Sequence, residues 1–170
     1  MSDQGLLARK AAIFLLDQIL EEGRLMTEMV QGGALEHLEP ADRARAQRLA
    51  TETLRGLERA DRMLQKHLRK YPPMTVRNAL RLGTVEICAL GEASHGVVNS
   101  MVEIVGRTKN TGHLKGLVNA VLRKIVADGA ETWDALRVPR LPKWLRGPLV
   151  DAWGVEAVGA IENVQFSSVP

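Results

Sequence analysis

Cysteine occurs once in this 170-residue chain, at Cys88, so no intrachain disulfide can form and no cysteine-built metal site is available. Such sparing use of cysteine fits a reducing cytoplasm. Aromatic side chains make up only 4% of the sequence, which leaves the core to Leu, Val, Ile and Ala and favours helix-on-helix packing over a sheet. Long apolar runs are missing too. The run from Ala11 to Leu16 is too short for a membrane span and has no small-residue cleavage site after it, so a cytoplasmic protein without membrane contact is expected. No segment alternates apolar and polar residues with a period of two, and the expected fold class is all-α.

What is present is ordinary for a globular domain: 45% apolar and 25% charged residues, enough for one compact core with an appended segment. The net charge of +3 is unevenly spread. Residues 1–127 hold 19 of the 23 Lys and Arg and 14 of the 20 Asp and Glu, a balance of +5, whereas the remaining residues are acidic by two charges. Any interest in nucleic acid therefore belongs to the first part of the chain.

Leu6 to Glu22 contains no Pro or Gly, and its apolar residues cover the whole circumference, as in a central helix. Pro40 opens a long amphipathic stretch to Lys70, with Leu49, Leu57, Ala60, Leu64 and Leu68 on one face; Tyr71-Pro72-Pro73 stops it. A helix from Met74 ends near Leu90 at Gly91. Ser94 is placed to cap the next, whose stripe is Val97, Val98, Met101, Val102 and Val105. After a turn at Thr108–Gly112, Leu114, Leu117, Val118, Val121, Leu122 and Ile125 mark another helix, on which Gly116 and Ala120 would permit close approach of a neighbour. Beyond Asp128-Gly129, Pro139, Pro142 and Pro148 and three tryptophans (Trp133, Trp144, Trp153) suggest a linker and short helices near Pro142–Trp153 and Val155–Val164. The expected division is 1–129 for the helical domain and 130–170 for the linker and short helices.

Catalytic constellations are not found. His37, His67, His95 and His113 lack ligand spacing, Glu86 and Glu103 read as solvated or ion-paired carboxylates, and Cys88 sits in an apolar context without a partner base. No catalytic residue and no metal site is assigned. The arginine stripe Arg48, Arg55, Arg59, Arg62, Lys66 and Arg69 could meet phosphates, yet Glu52, Glu58 and Asp61 interrupt it, and pairing on a solvated face explains it equally well. A second basic group comprises Arg9 and Lys10 with Lys109, Lys115, Arg123 and Lys124 around the last core helix.

The segment Lys115-Gly-Leu-Val-Asn-Ala-Val-Leu-Arg-Lys124 resembles the signature helix of the NusB family of antitermination and ribosomal-RNA-binding domains. Ala8-Arg-Lys-Ala-Ala12 resembles that family's first helix, Arg77–Ile87 its central helix and Val97–Val105 the helix before the signature. The continuation Leu141–Gly154 is similar to the linker of the RsmB (Sun-like) family of small-subunit ribosomal RNA cytosine-5 methyltransferases.

The resemblance implies a NusB-like helical bundle that recognises ribosomal RNA and positions a catalytic domain not contained in this chain. S-adenosylmethionine is expected only in that domain, and the chain reads as a fragment of a longer enzyme without catalysis of its own. RNA contact carries over to Arg9 and Lys10, and more loosely to Lys109, Lys115 and Lys124. Asn119 matches a motif position, with a backbone-bonding structural role expected. Two other readings stay open: an antitermination factor acting with a ribosomal protein, and a protein-interaction module whose basic residues only confer solubility.

Overall fold

The structure, a computed structural model, describes residues 3–167; residues 1–2 and 168–170 of the two expected segments lie outside it. Among the described residues there are eight α-helices and no strand: α1 (Asp3–Leu20), α2 (Met26–Gln31), α3 (Pro40–Arg55), α4 (Leu57–Leu64), α5 (Met74–Cys88), α6 (Ser94–Arg107), α7 (Lys115–Ala135) and α8 (Lys143–Phe166). A single 3-10 turn, Gly112–Leu114, leads into α7.

The helix surrounded by its neighbours is α5, not α1. It packs against α1, α3, α4, α6 and α7, and residues on every side of it, from Val76 and Leu80 to Leu82, Val85 and Cys88, are buried. Each Leu or Val buried there contributes about 1.5–3 kcal/mol. The apolar circumference of α1 is instead incomplete in its burial: Leu7 and Phe14 remain largely exposed. The buried polar residues of α5, Asn78, Arg81, Thr84 and Glu86, are tolerated because each is paired. Asn78 donates to Asp17 of α1 (2.7 Å) and accepts from Arg81 (3.0 Å), while Arg81 reaches Asp61 of α4 at 2.7 and 2.9 Å.

Asp17 accepts a further bond from Thr75 at 2.7 Å. Burial pushes its carboxyl above the ordinary aspartate value, against the pull of the Thr75 and Asn78 bonds. A raised folded pKa means that folding favours the protonated form, so this contribution is full below the ordinary aspartate pKa and is lost as pH rises through the raised one. Asp17→Asn, which imitates the protonated acid, should therefore melt at or above the wild-type temperature at pH 7, and the gain should vanish below about pH 4. Asp17→Ala strips the buried Asn78 amide of its acceptor and should cost about 1–3 kcal/mol. Thermal melts of both variants at the two pH values check this; an Asn variant less stable at pH 7 than at pH 3.5, relative to wild type, would refute it.

The stretch from Pro40 to Lys70 is broken at Gly56, and its helix ends at Leu64. A Cβ at Gly56 would stand 2.8 Å from the indole of Trp133, so the break is where α7's last turn reaches α3 and α4. Ser94 is the first helical residue of α6 rather than its cap; Ala93 holds that position without a side-chain bond. Gly116 is exposed and meets no neighbour; the close helix approach is made at Gly83, where a Cβ would lie 2.9 Å from Leu122. Asn119 is half-buried and makes no inter-helix backbone bond among the described residues, solvent being within reach of its amide.

Past residue 129 the expected linker and short helices are present. Gly129 (φ 73°) kinks α7, and Gly154 (φ 84°) divides α8 into two pieces near the expected boundaries; both need the left-handed region that glycine enters at no steric cost. Glu162 closes the tail on itself, accepting from the Leu141 amide (2.9 Å) and Arg146 Nε (2.8 Å). Glu58 of α4 holds it to the bundle through the Arg140 amide at 2.8 Å and an ion pair with Arg137.

Candidate nucleic-acid interface

Arg9 is not presented to solvent. It is 7% exposed, and its Nε and Nη2 each donate to Glu86 at 2.9 Å while Nη1 donates to Ser100 at 3.1 Å. The guanidinium thus ties α1 to α5 and α6 in a buried bidentate pair, which takes it away from any phosphate. Its neighbour Lys10 is exposed, as are Lys109, Lys115 and Lys124.

These lysines do not form one cluster. Helix α1 runs antiparallel to α5: Asp17 bonds Thr75 at the start of α5, and Arg9 bonds Glu86 near its end. Eleven residues at about 1.5 Å rise put Lys10 roughly 16 Å along the bundle from the start of α5. Lys109 and Lys115 lie at that start, where the turn before α7 meets the loop after α4. Lys124 is nine residues beyond Lys115, about 13 Å further along α7.

The middle of the arginine stripe is consumed within the fold. Arg55 pairs with Glu52 at 2.6 Å and Arg62 with Glu58 at 3.3 Å. Arg59 is buried, 5.8 Å from the ring centroid of Trp133 and 4.4 Å from that of Phe166. Arg48 at its start stays exposed, as do Lys66 and Arg69 at its C-terminal end, which join Lys109 and Lys115 at the same end of the bundle.

There the loop of residues 67–73 and the entry to α7 enclose a groove of about 600 Å³. Its floor is Leu68, Pro72, Leu114 and Leu117, its rim includes Arg69, Lys70 and His113, and no carboxylate lines it. Tyr71 stands at its edge, 55% exposed, with the Arg77 guanidinium 4.5 Å from its ring centroid. Sequence reasoning missed Lys70, Tyr71 and His113 as a group. The signal was there in Arg69-Lys70-Tyr71, a basic pair beside an aromatic, but only the fold brings His113 to it.

Cys88 is not poised as a nucleophile. It is buried, and burial together with the charges of Asp128 and Asp134 pushes its thiol up to about 11, so it stays protonated at neutral pH. Glu86 and Glu103 are ion-paired, with Arg9 and Arg107. His67 sits 2.6 Å from an Asp128 oxygen. No group of three or more potential metal ligands comes together among the described residues, and none of the described helices is long and apolar enough to cross a membrane. What the groove end offers is positive charge around an apolar, aromatic-edged trough.

A family model described as the NusB family matches residues 6–127. The chain is 29% identical over 161 residues to ribosomal RNA small subunit methyltransferase B of Xanthomonas campestris pv. campestris, an alignment covering 90% of this chain and 35% of that protein. It thus spans about a third of that relative's length. Among solved structures, it is similar to a chain from the complex of antitermination factors NusB and NusE with double-stranded RNA, with a TM-score of 0.65 and 26% identity over 75% of this chain and 98% of that one. A chain from the structure of a plectonemic RNA supercoil shares the fold at a TM-score of 0.66 and 22% identity, over 80% of this chain and 100% of that one.

Proposed function

The chain belongs to the NusB family, and from that premise we propose that it recognises ribosomal RNA for a small-subunit ribosomal RNA cytosine-5 methyltransferase of the cytoplasm without itself catalysing the transfer. The observation that carries this reading is the reach of the two likenesses. The NusB-sized structure is matched almost throughout yet leaves a quarter of this chain over. The methyltransferase is matched across 90% of the chain, which requires the alignment to run past residue 127 into the tail. The likeness to the antitermination-factor structure leaves that tail unaccounted for.

The groove end is the RNA-facing surface in this proposal, with Lys109 and Lys115 meeting phosphates, and Lys10 and Lys124 extending the contact along the bundle. Arg9 acts indirectly, by fixing the helix that carries Lys10. The tail serves the rest of the enzyme: Trp144 and Trp153 are 76% and 70% exposed, and Val155 and Val164 are exposed too, large apolar side chains suited to a protein neighbour. S-adenosylmethionine is assigned to that neighbour.

Binding to a small-subunit ribosomal RNA fragment across about 50–200 mM salt tests the proposal. Affinity should fall steeply with salt. Lys109→Ala/Lys115→Ala should bind more weakly at low salt, with a slope shallower by roughly 0.9 for each phosphate no longer neutralised. Undetectable or salt-insensitive binding would leave the chain a protein-docking module.

A further inference from the structure

Resting on the RNA reading above, we propose that the groove at the start of α5 holds an unpaired nucleobase of single-stranded RNA against Tyr71, with the flanking phosphates on Arg69 and Lys70. Three observations converge on this occupant. Tyr71 is more than half exposed, yet its ring is set in place by Arg77, whose guanidinium carbon is 4.5 Å from the ring centroid and whose Nη2 donates to the Pro72 carbonyl at 3.4 Å. Among the described residues Arg77 joins no ion pair, and its buried Nε has no hydrogen-bond partner, so its charge is left to the ring. A tyrosine held in this way is a pre-oriented flat surface, which lowers the entropic cost of stacking a planar group on it.

The second observation is the floor. Leu68, Pro72, Leu114 and Leu117 form an apolar trough of about 600 Å³, within the range of small-molecule sites. The third is charge: the rim is cationic and no carboxylate lines the groove. An occupant with a flat, largely apolar face joined to an anion is a nucleotide with its base unstacked. A duplex keeps its base faces covered by one another and offers only phosphates and groove edges, which Tyr71 cannot stack upon.

The test uses the whole chain and a short single-stranded RNA containing 2-aminopurine, with the same strand in a duplex and polyglutamate as an acidic-peptide competitor. The single strand should bind more tightly than the duplex, and 2-aminopurine emission should be quenched on binding. Tyr71→Ala should weaken single-strand binding about five- to hundredfold with the salt slope unchanged. Tyr71→Phe should retain it, and Arg69→Ala/Lys70→Ala should lower the slope instead. Matching melts of the Tyr71 variants, expected for an exposed side chain, separate lost stacking from lost fold. Equal binding of duplex, an unchanged Tyr71→Ala variant, or displacement by polyglutamate at matching affinity would each overturn the base-stacking site while leaving general RNA recognition standing. A wild-type chain that binds no RNA in any form overturns both.

Discussion

Arg9→Ala should destabilise the bundle by about 3–5 kcal/mol, the loss typical of a buried ion pair broken on one side. At about 2–4 °C per kcal/mol for a chain of this size, the melting temperature should fall by roughly 6–20 °C. The reason lies less in the attraction removed than in what stays behind. Glu86 is fully buried, and both its oxygens accept from Arg9. Without the guanidinium a carboxylate is stranded between α1, α5 and α6, and Ser100 loses its partner as well. Replacing the pair together, Arg9→Met with Glu86→Leu, should recover most of the loss, because no uncompensated charge remains. Lys10→Ala, one residue away and exposed, should change stability by no more than about 0.5 kcal/mol. Urea unfolding of the four proteins checks the pattern; a single Arg9 variant within about 0.5 kcal/mol of wild type would show that the pair does not hold the helices. The consequence for function is direct. Weaker RNA binding by an Arg9 variant measures damage to the fold, whereas the same weakening in a Lys10 variant measures a phosphate left without its cation.

Arg9 also shows what a sequence leaves hidden. Arg9-Lys10 reads as one basic patch because both side chains carry charge, but their exposure is set by a partner 77 residues away on another helix. Where a helix is half-buried and its apolar residues keep a 3.6-residue period, the reading holds: α6, α7 and both pieces of α8 lie close to their expected places. Where burial surrounds a helix, the pattern fails in both directions. Asn78, Arg81, Thr84 and Glu86 make α5 look partly solvated, yet all four are buried, whereas α1 looks central and leaves Phe14 out. The six-residue α2 is too short to show a period, and Met29 is its single fully buried residue. Gly56 reads as a tolerated interruption of a long helix until Trp133 is seen to occupy the space a side chain would need. Of the candidate interface, Lys109 and Lys115 were legible because a basic residue in a turn or at a helix start is seldom buried. The groove was not, since it joins residues 67–73 to residues 113–117 by tertiary packing alone.

Trp133→Ala should cost about 3–5 kcal/mol, the range for deleting a buried indole, and it should also loosen the tail. Trp133 is buried against Gly56 and lies beside Arg59. Arg59 in turn donates from Nε to the Arg137 carbonyl at 3.2 Å and stacks over Phe166 near the end of α8. The indole therefore supports the guanidinium that clips both the start and the end of the tail to α4. With the ring gone, Arg59 loses the surface that orients it, and besides the packing of Leu136 on the core the tail keeps the Glu58 bonds, whose partly exposed ion pairs contribute about 1 kcal/mol or less each. Proteolysis in the 137–142 segment should accelerate accordingly. Because Trp133 is the buried member of the three tryptophans, the variant's emission should also shift to the red, toward that of the solvated Trp144 and Trp153. Trp133→Phe should lose less on both counts, keeping a ring against Gly56. The groove sits at the other end of α7, so RNA affinity measured well below the melting temperature should stay at the wild-type value. A variant whose tail is cut no faster than wild type would locate the clip elsewhere, in Glu58; one that also loses RNA binding would make the tail part of the recognition surface rather than its connection to a neighbour.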